Sequence, residues 1–164
     1  MNKLVKLIIV SIIVSSLFGC RSNEKEIKSF NFDMSVYKTL NKEDFNNFKG
    51  ITLASLKDII QNKKSCFVFV CYADSNECHN DIKVISDLAK QYEKTIYCID
   101  AKAILKDANA FKEMLELLDP VLEDEQGFKL ISAPELIKIE NGEFVDFVVK
   151  PNSLEVYESI IGGE

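Results

Sequence analysis

The run "CFVFVCY", residues 66 to 72, limits the possible folds more than any other stretch of the chain. It is apolar throughout, too short for a typical helix and too uniform for a strand with one wet face. Such a run reads as a strand covered on both sides, the mark of a central parallel strand. A helical pattern follows in "NDIKVISDLAKQYEK", where Ile82, Ile85, Leu88, Ala89 and Tyr92 recur at helical spacing. "TIYCIDA", residues 95 to 101, is a second apolar strand. Strand, helix and strand in this order make a parallel β-α-β unit, right-handed almost by rule.

The flanks extend this unit. Upstream, "ITLASLKDIIQNKKS" places Leu53, Leu56, Ile59 and Ile60 on one helical face, with Thr52 at the N-cap. Downstream, Phe111, Met114, Leu115 and Leu118 mark another helix, ended by Pro120 and the acidic "LEDEQG". "ELIKIE" and "EFVDFVV" then flank Asn141-Gly142, the strongest short-range hairpin signal. Pro151 and Asn152 lead into a last helix through Leu154, Tyr157 and Ile161, and Asn152 with Glu155 has capping-box spacing. Residues 31–49 show no clear period and read as an irregular or mixed extension. The predicted class is α/β: a central mixed sheet, parallel in its β-α-β part and antiparallel in its hairpin, with helices on both faces.

The first twenty residues are a different material. "MNKLVK" is basic, "LIIVSIIVSSLF" is apolar, and "GC" follows, as in an export signal. The apolar run falls short of the roughly 20 residues that span a membrane. "LFGC", positions 17–20, resembles a bacterial lipobox, with Phe18 bulkier than the residue usual there. That resemblance implies a signal peptide over 1–19, cut before Cys20, and lipid (palmitate among it) on Cys20. A tether over 20–30, the extension over 31–49 and a folded domain over 50–164 follow. The expected location is extracytoplasmic, anchored to the cell membrane; simple secretion or a retained anchor are the alternatives. Thiols in that setting meet oxidising surroundings. The formal charge of −6 argues against a nucleic-acid partner, which requires a basic face.

Two stretches carry a family resemblance. "FVFVCYADSNEC" is a buried strand running through a short loop to a cysteine at a helix start, and "ISAPELIKIENGEFVDF" has a proline opening a strand with a glycine turn after it. Together with the element order over residues 50–162 they resemble the thioredoxin fold family. The resemblance implies a cis peptide bond at Pro134, with Ala133 and Pro134 as client-binding positions. It places Cys78 at the second cysteine of the family's C-x-x-C and Ser75 at the first, giving "SNEC". It also puts Phe69 where many members hold a buried acid, and the chain has no Trp at the usual place before the motif. A serine cannot carry out thiol–disulfide exchange, which proceeds by thiolate attack on sulfur. A second register makes Cys78 the first cysteine of "CHND", with a longer loop. The helix "ITLASLKDII" is similar to bacteriocin transport accessory proteins.

Cys78 is the candidate catalytic residue, as a monothiol, or else a vestigial and partly exposed cysteine. A helix start favours a thiolate there, while Asp74 and Glu77 oppose it. Adjacent Cys78 and His79 point different ways from a helix, so no metal site is predicted and His79 reads as solvent-facing. Cys66, Cys71 and Cys98 read as core thiols, with a Cys71–Cys98 bridge as the alternative. Glu123, Asp124 and Glu125 read as a solvated loop rather than a calcium site. No cofactor is predicted. The expected function is a redox-inactive binding or accessory protein with a protein or peptide client. The alternatives are a monothiol oxidoreductase using Cys78 and an accessory component of bacteriocin or peptide export.

Overall fold

The computed structural model describes residues 26–118, 133–149 and 154–163. The export signal with Cys20, Pro120, the acidic Glu123, Asp124 and Glu125, and the lead-in of Pro151 and Asn152 lie outside them. Among the described residues no helix is long and apolar enough to cross a membrane.

Five strands form one sheet in the order β1-β3-β2-β4-β5: β1 (Phe48–Gly50), β2 (Cys66–Cys71), β3 (Ile96–Asp100), β4 (Glu135–Glu140) and β5 (Glu143–Val149). β2 lies at the centre, parallel to β3 on one side and antiparallel to β4 on the other. β1 runs parallel to β3 at one edge, and β5 closes the hairpin at the other. The helices are α1 (Leu53–Gln61), α2 (Asn76–Gln91), α3 (Ala101–Leu105), α4 (Ala108–Leu118) and α5 (Leu154–Gly162).

The period-2 alternation of β2 explains its uniform apolarity. Phe69 and Cys71 pack on one face with Ile82 and Ile85 of α2 and Tyr157, Ile160 and Ile161 of α5. Val68 and Val70 pack on the other face with Leu56 and Ile59 of α1 and Met114 and Leu118 of α4. Neither set of β2 side chains meets water, so the sequence shows a run instead of an alternation.

The stretch that reads as an irregular extension is more than that. It supplies β1, whose three residues are too short to display a period. Two 3₁₀ helices, Met34–Val36 and Lys42–Asn47, precede it. Met34, Tyr37, Leu40 and Phe48 enter the core beside α2 and α5. Asp44 closes a capping box with Asn41 and binds the Lys90 ammonium of α2, which ties the extension to the domain. The five-residue α3 also escapes the sequence pattern. It is held between two local caps, Asp100 accepting from the Lys102 amide at 2.9 Å and Asp107 accepting from the Asn109 amide at 2.9 Å.

The predicted Thr52 cap and Asn141-Gly142 turn form as expected. Thr52 Oγ1 accepts from the Ser55 amide at 3.1 Å and starts α1. Asn141 and Gly142 take φ of 53° and 79°, the left-handed pair that a two-residue hairpin needs. The Gly142 amide also donates to the Lys64 carbonyl at 2.9 Å, docking the hairpin on the α1–β2 loop. A Cβ at position 142 would lie 2.3 Å from the Ile60 carbonyl oxygen. Gly142→Ala therefore combines a disfavoured φ with a backbone clash, and we expect it to lower stability by about 2 kcal/mol or more in urea titration. A midpoint equal to wild type would show that the turn relaxes freely.

Candidate functional site

β2 ends at Cys71 and runs through Tyr72, Ala73 and Asp74 to the start of α2. Ser75 is the N-cap of that helix, and its Oγ accepts from the Cys78 amide at 3.2 Å. Ser75 and Cys78 are thus two ends of one cap. Both are buried, and Cys78 is 0% exposed.

The loop is held from several directions. Lys102 of α3 forms an ion pair with Asp74. His79 Nε2 is 2.7 Å from the Ala73 carbonyl oxygen. The Thr39 hydroxyl donates to the His79 carbonyl at 2.6 Å, and the Tyr37 ring lies 5.2 Å from the imidazole. His79 is therefore half-buried and braces the loop rather than facing solvent as the sequence reading has it. The brace comes from the N-terminal extension, forty residues away in the chain, so helical periodicity near His79 carries no sign of it.

Burial also reverses the expectation for Cys78. The partly exposed thiol of the sequence reading is fully covered by the α2–α5 core. Burial pushes the thiol up to about 11, although hydrogen bonds with the Tyr72 backbone and the Ser75 side chain pull the other way. Beneath it, Cys71 Sγ and the Tyr37 hydroxyl share a hydrogen bond of 2.8 Å. Burial raises the Tyr37 hydroxyl far above its ordinary range, and Cys71 adds to the shift. Cys98 is wholly buried and hydrogen-bonded to Cys71, and its thiol is raised by burial first and by Cys71 second. All four described cysteines are free thiols, which leaves Cys71 and Cys98 as core residues. Phe69 is 0% exposed in the same core and offers no proton to the site. On α2 the charge of Asp81 acts on Cys78, and its Oδ2 accepts from the Tyr157 hydroxyl at 2.8 Å. Burial raises its carboxyl, against the opposing pull of that hydrogen bond.

The Ala133–Pro134 peptide bond is cis, and Pro134, buried, immediately precedes β4. Ala133 packs against the core that holds Cys78. The next residue is one that sequence reasoning passed over. Glu135 is 0% exposed, pairs in register with Val70 of β2, and has no hydrogen-bond partner for either carboxylate oxygen among the described residues. The signal was present: Glu135 shares strand parity with Ile137 and Ile139, both core residues. A polar residue on the first inward position of a strand is easily read as an end residue reaching water, and here it does not.

At the opposite end of the sheet a cleft of about 420 Å³ borders Cys66, Tyr97 and Lys138. Burial pushes the Cys66 thiol up to about 12, against a small opposing pull from Lys64. Among the described residues no group of three or more His, Cys, Asp or Glu could hold a metal ion.

Glu135 gives the fold a specific pH dependence. Burial pushes its carboxyl up to about 8 from 4.5. Below pH 4.5 both folded and unfolded chains carry the proton, and its contribution to stability is complete. As pH rises from there toward 8 the unfolded chain ionises and the folded one does not, so stability falls, at up to about 1.4 kcal/mol per pH unit. Denaturant titrations between pH 5 and 8 should show Glu135→Gln flattening that slope relative to wild type. Parallel slopes in the two proteins would contradict the buried, neutral carboxyl.

No protein-family model and no curated protein sequence matches the chain. Solved structures do. Thioredoxin O2 from Arabidopsis thaliana, in its oxidized state, is similar at a TM-score of 0.50 and 14% identity, covering 71% of this chain and 92% of that one. Thioredoxin O1 from the same organism, also oxidized, is similar at a TM-score of 0.50 and 15% identity, covering 71% and 96%. At such identity the likeness is one of architecture. With the five-stranded mixed sheet and helices on both faces, it makes this a thioredoxin-like fold.

Proposed function

We propose that the protein is an extracytoplasmic, membrane-tethered thioredoxin-fold protein that binds a protein or peptide client and performs no dithiol redox cycle. The observation that carries this reading is the start of α2. Ser75 is engaged there as a helix cap, and the remaining cysteine three residues on is buried with its thiol pushed up to about 11. Exchange requires a thiolate with access to a sulfur. At neutral pH a thiol of that kind is ionised to roughly one part in ten thousand, and its Sγ is covered. Phe69 supplies no acid–base help.

Burial of Cys78 weighs equally against the monothiol alternative, since a mixed disulfide needs the same thiolate. The tether rests on the "LFGC" resemblance: lipid on Cys20 would hold the domain at the membrane, each buried CH₂ contributing about 0.8 kcal/mol. A place as an accessory component of bacteriocin or peptide export rests on the likeness carried by "ITLASLKDII". In this reading the loop, with Asp74 exposed, and the half-buried Ala133 offer a surface to a client, while Pro134 is buried behind them.

Insulin reduction by the full-length chain with dithiothreitol tests the central part. The expected rate is that of dithiothreitol alone. Turnover above that blank, abolished by Cys78→Ser, would overturn the reading.

A further inference from the structure

The carboxyl ends of β1 and β3 open onto a cleft that the described chain leaves empty. Two adjoining lobes, of about 370 and 330 Å³, share Phe30, Phe32, Asp100 and Ala103. One lobe runs past Tyr37 to Ala73 of the braced loop; the other runs along α3 to Asp107 and Ala110. Clefts outside the carboxyl ends of parallel strands are where open α/β sheets commonly take ligands.

The walls are apolar and wet. Phe30 is 50% exposed and Val36 is 40% exposed. Phe30 is nonetheless held in place: its amide donates to the Gly50 carbonyl at 2.9 Å and the Gly50 amide donates back at 2.8 Å. A Cβ on Gly50 would stand 2.3 Å from the Phe30 ring, so the glycine is what lets the ring close against β1. An ordered, exposed aromatic ring shared by two lobes is the kind of anchor that binding surfaces are built on.

The charge is one-sided. Among the described residues the only charged side chains lining the lobes are Asp33, Asp100 and Asp107. Each makes its local cap through Oδ1, to the amides of Ser35, Lys102 and Asn109 respectively. Among the described residues no lysine or arginine lines either lobe; Lys102 pairs with Asp74 and is also influenced by the charge of Asp100.

We propose that this cleft binds an extended peptide segment of a partner protein in which apolar residues alternate with lysine or arginine. An extended chain sends successive side chains to opposite sides. Apolar positions would meet Phe30, Phe32 and Ala103, and the intervening cations would meet the three aspartates. The inference rests on the reading of the protein as a binding protein, and it gives that client a chemical class and a place distinct from Pro134.

A fluorescent, cysteine-free peptide of alternating leucine and lysine, titrated into the full-length chain and followed by anisotropy, tests it. The matched leucine–glutamate peptide and a detergent-only blank are the controls. The lysine peptide should bind, more weakly as salt rises, and the glutamate peptide should not. Phe30→Ala, and independently Ala103→Lys at an exposed helix position, should each weaken binding by about tenfold or more. Asp100→Asn with Asp107→Asn, which keeps the caps, should lower affinity and flatten the salt dependence. Absent binding, equal binding of the glutamate peptide, or variants that bind like wild type would each overturn the proposal. The peptide has no sulfur, so redox turnover would sink the non-redox reading and leave this result standing. Lost binding without turnover would sink this proposal alone.

Discussion

Two-sided burial of β2 is the constraint on which the rest of the molecule depends. The strand lies between β3 and β4, and from Val68 to Cys71 every side chain is buried. Both helical layers close on it, α2 and α5 on one face, α1 and α4 on the other. A charge on such a strand would lose its hydration with nothing in return, at a cost of several kcal/mol. Phe69 and Cys71 satisfy that demand with uncharged side chains, a phenyl ring and a thiol that shares a hydrogen bond with the Tyr37 hydroxyl. The packing that secures the fold also sets the surroundings of the loop at the start of α2.

Cys78 shows the competition plainly. A helix start favours an anion, by about 0.3 to 1 kcal/mol at ordinary sites, less than one unit of pKa. Full burial of a thiolate acts in the opposite sense and can amount to several units. Desolvation therefore prevails, and the thiol lies above its ordinary value despite the hydrogen bonds that oppose it. Ser75 contributes in a different way: its hydroxyl satisfies an amide at the first turn that no other helix group can reach, a structural task that a small polar residue does well.

What the residues disclosed and what they hid divide along physical lines. Periodicity reveals elements long enough to repeat a pattern, so β2, α2, β3 and the β4–β5 hairpin were legible in the sequence. β1, with three residues, and α3, with five, were not. Asn141-Gly142 and Thr52 were legible because turn and cap chemistry is local. The brace on the loop was not, because Tyr37 and Thr39 reach Cys71 and His79 only after the chain has folded. Burial of Cys78 follows from the docking of α5 on α2, a tertiary fact. Glu135 sat on the inward parity of its strand, where parity alone does not distinguish a covered carboxyl from one reaching water at the strand end.

The protonated, covered thiol at the start of α2 is the central feature of the site. The most direct measurement is the titration of Cys78 in the intact protein, followed through the ¹³Cβ chemical shift of cysteine-labelled chain, with Cys78→Ser identifying the signal. The shift is expected to stay flat through pH 9 and to move only toward about 11. A midpoint at or below the ordinary cysteine value of about 8.5 would contradict this expectation and return Cys78 to the status of a working nucleophile.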